Sequence, residues 1–361
     1  MSAPQFGLMI ADDLTGALDS SVFFAERGWS VTVRDWQKLT AIDQTWNGAT
    51  AGLLVIDTNS RDLQPDAAAA RIVAILAALG PLPPRCLVFK KIDSRLKGNV
   101  RAETDALANG LGRRTLLVCP AVPDAGRFVE NGMLIDGQTA IALPRWDSAL
   151  SASVPNIRTD IELRQLGRDF LEHASTAIAV GSRGLARSLA EPLPQGPAHN
   201  VPTSAPIREP IAFIIGTNDP VTLGQVADLR RSGAVQEVQF PRDRASSIVS
   251  GSSLLLKLEV TSREEFQQQL LPFVEWAVHL TTKLAMQTLV VSGGDTLRAL
   301  VDARKWDGIT PLRSLGDGLV LGQQSDGTSP LIVSKSGGFG HLKALSDLAQ
   351  LARRSRVDVQ R

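Results

Sequence analysis

Short, almost wholly apolar runs alternate along this chain with segments whose apolar residues recur at helical spacing, and a polar or glycine-bearing turn separates one from the next. Runs at 7–11, 52–57, 86–91, 114–119 and 176–180 predict strands. Segments at 14–27, 66–79, 99–109, 162–173 and 184–190 predict helices. The helix over 14–27 rests on Leu14, Ala17, Leu18, Val22 and Ala25 and is closed by Gly28. Between Glu191 and Pro210 the rhythm stops, and six prolines (Pro192, Pro194, Pro197, Pro202, Pro206, Pro210) give the composition of a stiff linker. Beyond it the rhythm resumes, with strands predicted at 211–216, 253–258, 287–292 and 330–334 and helices at 220–231, 262–284, 294–303 and 341–351. Repeated βα units mean parallel sheets. The predicted fold is therefore α/β: two α/β domains with mainly parallel sheets, residues 1–195 and 211–361, joined by a Pro-rich linker over 196–210. The arginine-bearing tail after Leu351 reads as a solvated, frayed end.

Composition narrows the partners. The 361 residues suit about two domains. With 38 Lys and Arg against 37 Asp and Glu, no whole-chain field attracts polyanions, so nucleic acid is not expected and any anion must be held by local geometry. Cys86 and Cys119 both lie in apolar runs, the setting of buried, reduced thiols. No apolar stretch reaches the roughly 18 residues of a membrane span and no signal-like N-terminus is present, so the cytoplasm is the expected location.

Ligands of open α/β sheets bind beyond the carboxyl ends of the strands, which gives weight to four clusters that follow predicted strands. Asp12 and Asp13 stand where a strand yields to a helix. One of them is explained as an N-cap; the other is available to hold a substrate hydroxyl or act as general base. The segment Lys90-Lys91-Ile92-Asp93-Ser94-Arg95-Leu96-Lys97-Gly98 packs four cations into a strand exit, which suits an anionic ligand, although charge runs often form solvated faces. Nearby in the pattern, Arg61 follows Asp57-Thr58-Asn59-Ser60 and can pair a carboxylate bidentately. Gly293-Gly294-Asp295-Thr296 opens a helix after one strand, and Ser334-Lys335-Ser336-Gly337-Gly338-Phe339-Gly340 follows another; two such loops in one domain suggest a nucleotide phosphate cradle.

Absent motifs exclude other chemistries. There is no G-x-x-x-x-G-K-[ST], no G-x-S-x-G elbow, and the dinucleotide fingerprint begun at Gly338 fails at Lys343. His173, His199, His279 and His341 show no metal-ligand spacing, and His341 reads as solvent-facing.

Together, Ile10-Ala11-Asp12-Asp13-Leu14-Thr15-Gly16-Ala17, Lys91-Ile92-Asp93-Ser94 with Gly98-Asn99, Pro120-Ala121-Val122-Pro123 with Gly126-Arg127, Gly181-Ser182 with Gly184-Leu185-Ala186, Ser292-Gly293-Gly294-Asp295-Thr296 and Lys335-Ser336-Gly337-Gly338-Phe339-Gly340 resemble, in order, the signatures of the four-carbon acid sugar kinase family. The resemblance runs from about residue 7 to 345. It implies an N-terminal domain that holds a four-carbon sugar acid of the threonate, erythronate or 3-oxo-tetronate class. A C-terminal domain would hold ATP with Mg²⁺, and a cleft between the domains would be where phosphate passes to a terminal hydroxyl. On this reading Asp12 and Asp13 are catalytic, and Arg61, Lys91, Asp93, Ser94, Arg95 and Gly98 bind the acid. Gly216, Thr217, Asp219, Gly293, Gly294, Asp295, Thr296, Lys335, Gly337 and Gly338 bind the nucleotide, metal ligands being left unassigned. Four departures from the family pattern stand out: Arg95 and Lys97, Gly216-Thr217-Asn218-Asp219, the proline-free 316–322, and His341 where an acid is usual. A sensor of sugar acid or nucleotide and a Rossmann-like oxidoreductase are the alternatives, and homo-oligomerisation is left open.

Overall fold

Residues 4–39, 51–146, 149–196, 207–241, 248–316, 318–327 and 330–359 are described by a computed structural model. They belong to two units, Met1–Val201 and Pro202–Arg361. The linker prolines Pro197, Pro202 and Pro206, together with His199 and Asp317, lie outside the described residues.

In the first unit the apolar runs become β1 (Phe6–Ala11), β3 (Gly52–Asp57), β4 (Leu87–Lys91), β5 (Thr115–Cys119) and β10 (Ala177–Gly181). Shorter β2 (Ser30–Asp35) and β9 (Ser151–Ser153) complete an all-parallel sheet of order β2-β3-β1-β4-β10-β5-β9. An all-parallel sheet must be covered on both faces. Helices α1 (Leu14–Glu26), α4 (Asp160–Leu171) and α5 (Arg183–Ala190) pack together, and α2 (Pro65–Leu79) packs on α3 (Val100–Leu111). Leu87, Val88 and Phe89 are fully buried; each such side chain stabilises the fold by about 1.5–3 kcal/mol. Register sets Ala11 opposite both Asp57 and Lys91, and Gly181 opposite both Lys91 and Cys119, so four strand exits lie level. Chain order reverses at β1, since β3 lies on one side of it and β4 on the other, and such a switch point opens a crevice at the carboxyl ends. A separate antiparallel sheet, β6 (Arg127–Glu130), β7 (Met133–Asp136) and β8 (Thr139–Ala142), is inserted after β5.

The second unit contains β11 (Ile211–Ile215), α6 (Pro220–Arg231), β12 (Gln236–Val238), β13 (Leu254–Lys257), α7 (Arg263–Lys283), β14 (Thr288–Ser292) and α8 (Gly294–Ala303). It continues with β15 (Gly308–Gly316), β16 (Leu319–Gln324), β17 (Leu331–Lys335) and α9 (Ala344–Val359). Its strands run in the order β12-β13-β11-β14-β17-β16-β15, parallel through β17 and antiparallel from there. Ser292 is in register with Ile215 on one side and Lys335 on the other, which again levels the strand exits.

Predicted strands and helices are all present, most with ends within a residue or two, while β2, β6 to β9, β12, β15 and β16 were not foreseen. Most of these are short or half-exposed, and β15 is interrupted at Pro311 and Arg313. The tail after Leu351 is not a frayed end from that point: α9 continues to Val359, with Ala352 buried and Arg353 Nη2 donating to Ala234 O at 3.0 Å. Cys86 and Cys119 are free and buried, and burial pushes both thiols up to about 12, far above the pH at which thiolates react. Among the described residues no helix is long and apolar enough to cross a membrane.

Candidate active site

One arginine organises the exits of β1, β3 and β4. Asp12 leaves β1 with only 2% exposure, and Asp13 caps α1 by accepting from Gly16 N at 3.0 Å and Thr15 Oγ1 at 2.8 Å. From the loop after β3, Arg61 donates Nε and Nη2 to the two oxygens of Asp12 (2.9 and 3.0 Å) and Nη1 to Asp13 Oδ2 (3.0 Å), while Asp93 Oδ2 lies 3.7 Å from Nη2. Such bidentate, charge-assisted bonds fix planes as well as distances. Burial alone would raise the Asp13 pKa. Arg61, Lys91, Thr15 and Gly16 outweigh it and hold the group below the ordinary carboxylate value. Asp57, almost fully buried at the end of β3, is pushed well above its ordinary value by burial, and the charges of Asp13 and Asp12 add to the shift. The three carboxylates around one guanidinium leave this cluster anionic.

Lys90 and Lys91 are buried rather than part of a solvated face, and strand alternation separates them. Lys90 turns toward α3, its Nζ 3.3 Å from Glu103 Oε2, with both side chains sealed from solvent. Ser60 Oγ donates to Glu103 Oε1 at 2.6 Å, so this pair also anchors the loop that carries Arg61. Lys91 turns toward α1 and donates to Ile92 O at 2.9 Å. Gly16 makes room for it: a β-carbon there would stand 2.7 Å from Lys91 Nζ and against Asp13 Oδ1. Asp93 closes the next turn by accepting from Arg95 N at 2.8 Å, and Gly98 backs directly onto Asp12 Oδ2. Arg95 reaches the inserted sheet and donates to Asp136 Oδ2 at 2.8 Å; from β6, Arg127 donates to Ser94 Oγ (3.2 Å) and to the same Asp136 oxygen (3.3 Å). Asp12, Asp13, Arg61, Lys91, Asp93, Ser94, Arg95 and Gly98 are thus brought together, but Arg61 turns Nε and both Nη groups to protein carboxylates and Arg95 turns its Nε to Asp136. Sequence reasoning missed Glu103, Asp136 and Asp19. Asp19 carried a readable signal, a carboxylate in a helix whose first turns are otherwise free of charged side chains.

In the second unit three loops converge. Gly216 abuts the Thr296 hydroxyl, Gly293 lies 3.6 Å from Thr217 N, and Gly337 lies 3.6 Å from Thr217 Oγ1, each measured from the position of a β-carbon. Gly293 caps α8 at φ +112°, a conformation only glycine adopts readily, and no side chain caps the helix start. The N–H groups of Gly294, Asp295 and Thr296 therefore open the positive end of the helix. Beneath them, Ser292 Oγ and Thr296 Oγ1 are buried and find no hydrogen-bond partner among the described residues. Lys335 is turned inward and fully buried, donating to Thr222 Oγ1 (3.0 Å), Ser336 O (3.1 Å) and Gly337 O (3.1 Å), so it shapes the glycine loop from below. Gln225 Nε2 holds the far end of that loop through Phe339 O (3.2 Å) and His341 O (3.0 Å). Asp219 is the N-cap of α6, accepting from Val221 N at 2.9 Å. His341 faces solvent. Among the described residues no group of three or more His, Cys, Asp or Glu side chains could hold a metal ion. Replacing Thr296 by the isosteric valine removes an unpaired buried hydroxyl, so stability is expected to hold within about 1 kcal/mol in a thermal melt. On the sequence expectation that these loops hold ATP, its affinity measured by calorimetry should fall about tenfold, the worth of one hydrogen bond.

Residues 7–145 match the family described as the sugar-binding N-terminal domain. The whole chain is similar to a D-threonate kinase of Bordetella bronchiseptica, 27% identical over 413 aligned residues that cover 99% of each chain. A D-threonate kinase of Cupriavidus necator is 26% identical, covering 97% of this chain and 99% of that one. A D-erythronate kinase of Heliobacterium modesticaldum is 35% identical over 41% of this chain and 33% of its own length. These curated proteins are named as kinases of four-carbon sugar acids, and the similarity to the two D-threonate kinases runs nearly the whole length of the chain. Among solved structures, a Salmonella typhimurium protein described as a putative tRNA synthase superposes with a TM-score of 0.73 at 18% identity, covering 98% of this chain and 100% of that one, and so shares the fold.

Proposed function

We propose that the protein is an ATP-dependent kinase that phosphorylates a terminal hydroxyl of a four-carbon sugar acid of the threonate, erythronate or 3-oxo-tetronate class. The observation that carries this reading is the uncapped start of α8 over the unpaired Ser292 and Thr296 hydroxyls, a ready acceptor for phosphate oxygens. The full-length similarity to curated kinases supports the same reading. In it, the loops at Gly216–Asp219, Gly293–Thr296 and Lys335–Gly338 cradle the nucleotide, and Lys335 positions rather than touches it. The first unit receives the acid among Asp12, Asp13, Lys91, Asp93, Ser94, Arg95 and Gly98, with Arg61 fixing the carboxylates. Mg²⁺ typically binds through substrate phosphates with one or two carboxylates, so it would enter on the nucleotide rather than in a cage of this chain's own. Phosphoryl transfer asks mainly for positioning and charge neutralisation, which preset hydrogen bonds supply.

The test is ADP release from ATP and Mg²⁺ across D-threonate, L-threonate, D-erythronate and 3-oxo-tetronates. Turnover with one acid is expected. If ATP raises the melting temperature while no acid is phosphorylated, the protein is a nucleotide-binding sensor instead.

A further inference from the structure

Asp19 sits in the second turn of α1 with 7% exposure, and no hydrogen bond or ion pair reaches its carboxylate among the described residues. Helical side chains lean toward the N-terminus, which here is the ligand end of the sheet. The charged groups acting on it come from the elements around it: Arg183 at the start of α5, Lys91 on β4, Asp13 at the cap of α1, and Asp124 in the turn after β5. Arg183 is already committed, donating to both oxygens of Asp124 at 2.8 and 2.7 Å. Lys91 is not: its buried ammonium makes one hydrogen bond, to Ile92 O, and a lysine has three donors. Gly16, whose β-carbon position lies 2.7 Å from Lys91 Nζ, is three residues before Asp19 and so shares its face of α1; an ammonium with unused donors and a carboxylate with unused lone pairs thus lie on one buried face, and a hydroxyl oxygen would satisfy both.

We propose that Asp19 is the general base of the phosphoryl transfer, an inference that rests on the kinase reading above. The acceptor hydroxyl oxygen, held by Lys91, bonds to the γ-phosphorus of ATP as the bond from that phosphorus to the β,γ-bridging oxygen breaks. ADP leaves with that electron pair, and the hydroxyl proton passes to the Asp19 carboxylate and then to water. Asp12 and Asp13 are poorer acceptors, because Arg61 occupies both and Asp13 takes two further donors. Environment separates the two carboxylates that share Lys91: Asp13 is held low, whereas burial raises Asp19, with Asp13 and Asp124 adding to the rise and Arg183 and Lys91 opposing it. A pair split in this way has one member suited to taking a proton.

The experiment compares wild type, Asp19→Asn and Asp19→Glu in steady-state kinetics, pH profile and melting temperature. A general base contributes about 10²–10⁴-fold, so Asp19→Asn is expected to lose that much kcat with KM for the acid nearly unchanged, and Asp19→Glu to recover part of it. The acidic limb of the wild-type kcat profile should vanish from the residual activity of Asp19→Asn. Folding disfavours the ionised form of a carboxylate whose native pKa is raised; that cost is absent below the unfolded pKa and complete above the native one. At neutral pH the amide is therefore expected to keep or raise the melting temperature, whereas loss of a structural carboxylate would lower it. Wild-type turnover with an undiminished kcat and acidic limb in Asp19→Asn overturns the inference alone. No ATP-dependent turnover by the wild type overturns the kinase reading and the inference with it.

Discussion

Replacing Glu103 by glutamine is expected to destabilise the first unit by about 3–5 kcal/mol, the usual cost of stranding one partner of a buried ion pair. Lys90 and Glu103 are 0% and 1% exposed, so water cannot solvate the ammonium left behind. For a unit of this size the melting temperature should fall on the order of 10 °C. A double change, Lys90→Met with Glu103→Leu, is expected to restore most of the loss, because buried pairs are often replaced at little cost by apolar groups of similar volume. Calorimetric melts of the three proteins test this. A single variant that melts within a degree of the wild type would show that the pair contributes nothing. Activity should fall in Glu103→Gln too, since Ser60, which donates to Glu103, precedes Arg61 directly.

The second large effect concerns Arg61. Its removal as alanine deletes three hydrogen bonds to Asp12 and Asp13 and leaves adjacent carboxylates repelling one another. The expected fall in kcat/KM is about 10²–10³-fold, equivalent to ~3–4 kcal/mol of transition-state stabilisation. Lysine should recover little, because one ammonium cannot span both carboxylates as the planar fork does. The pH dependence of stability gives an independent reading. Asp13 is held below its ordinary value, so its contribution is complete above the unfolded pKa and lost as pH falls through the lower native one. The stability gap between wild type and Arg61→Ala should therefore be widest near neutrality and close in acid. A gap that does not change with pH would mean that Arg61 acts through packing.

Much of this was legible in the chain because parallel strands write themselves as apolar runs and place their ligands at known ends. The positions of Asp12, Lys91, Gly293 and Lys335 followed from that rule. Which way each charge faces did not follow, since pairing is decided between segments far apart in sequence. Lys90 and Lys91 differ by one residue yet meet Glu103 and Gly16 on opposite faces of the sheet. Lys335 reads in sequence as a phosphate ligand, whereas the structure gives its ammonium acceptors on α6 and on its own loop, which no strand rule could foresee. Asp136 was unreadable for a related reason: β6 to β8 alternate too briefly to announce a sheet.

That small inserted sheet bears on how the protein can change over evolutionary time. Arg95 is steadied by Asp136, and Asp136 and Arg127 belong to strands that share no ladder with the parallel sheet. Substitutions in the insertion can re-aim Arg95 and Ser94 while the main sheet keeps its register. On the proposed function, in which Arg95 and Ser94 meet the acid, acid preference and foldability can therefore drift separately through residues 127–142.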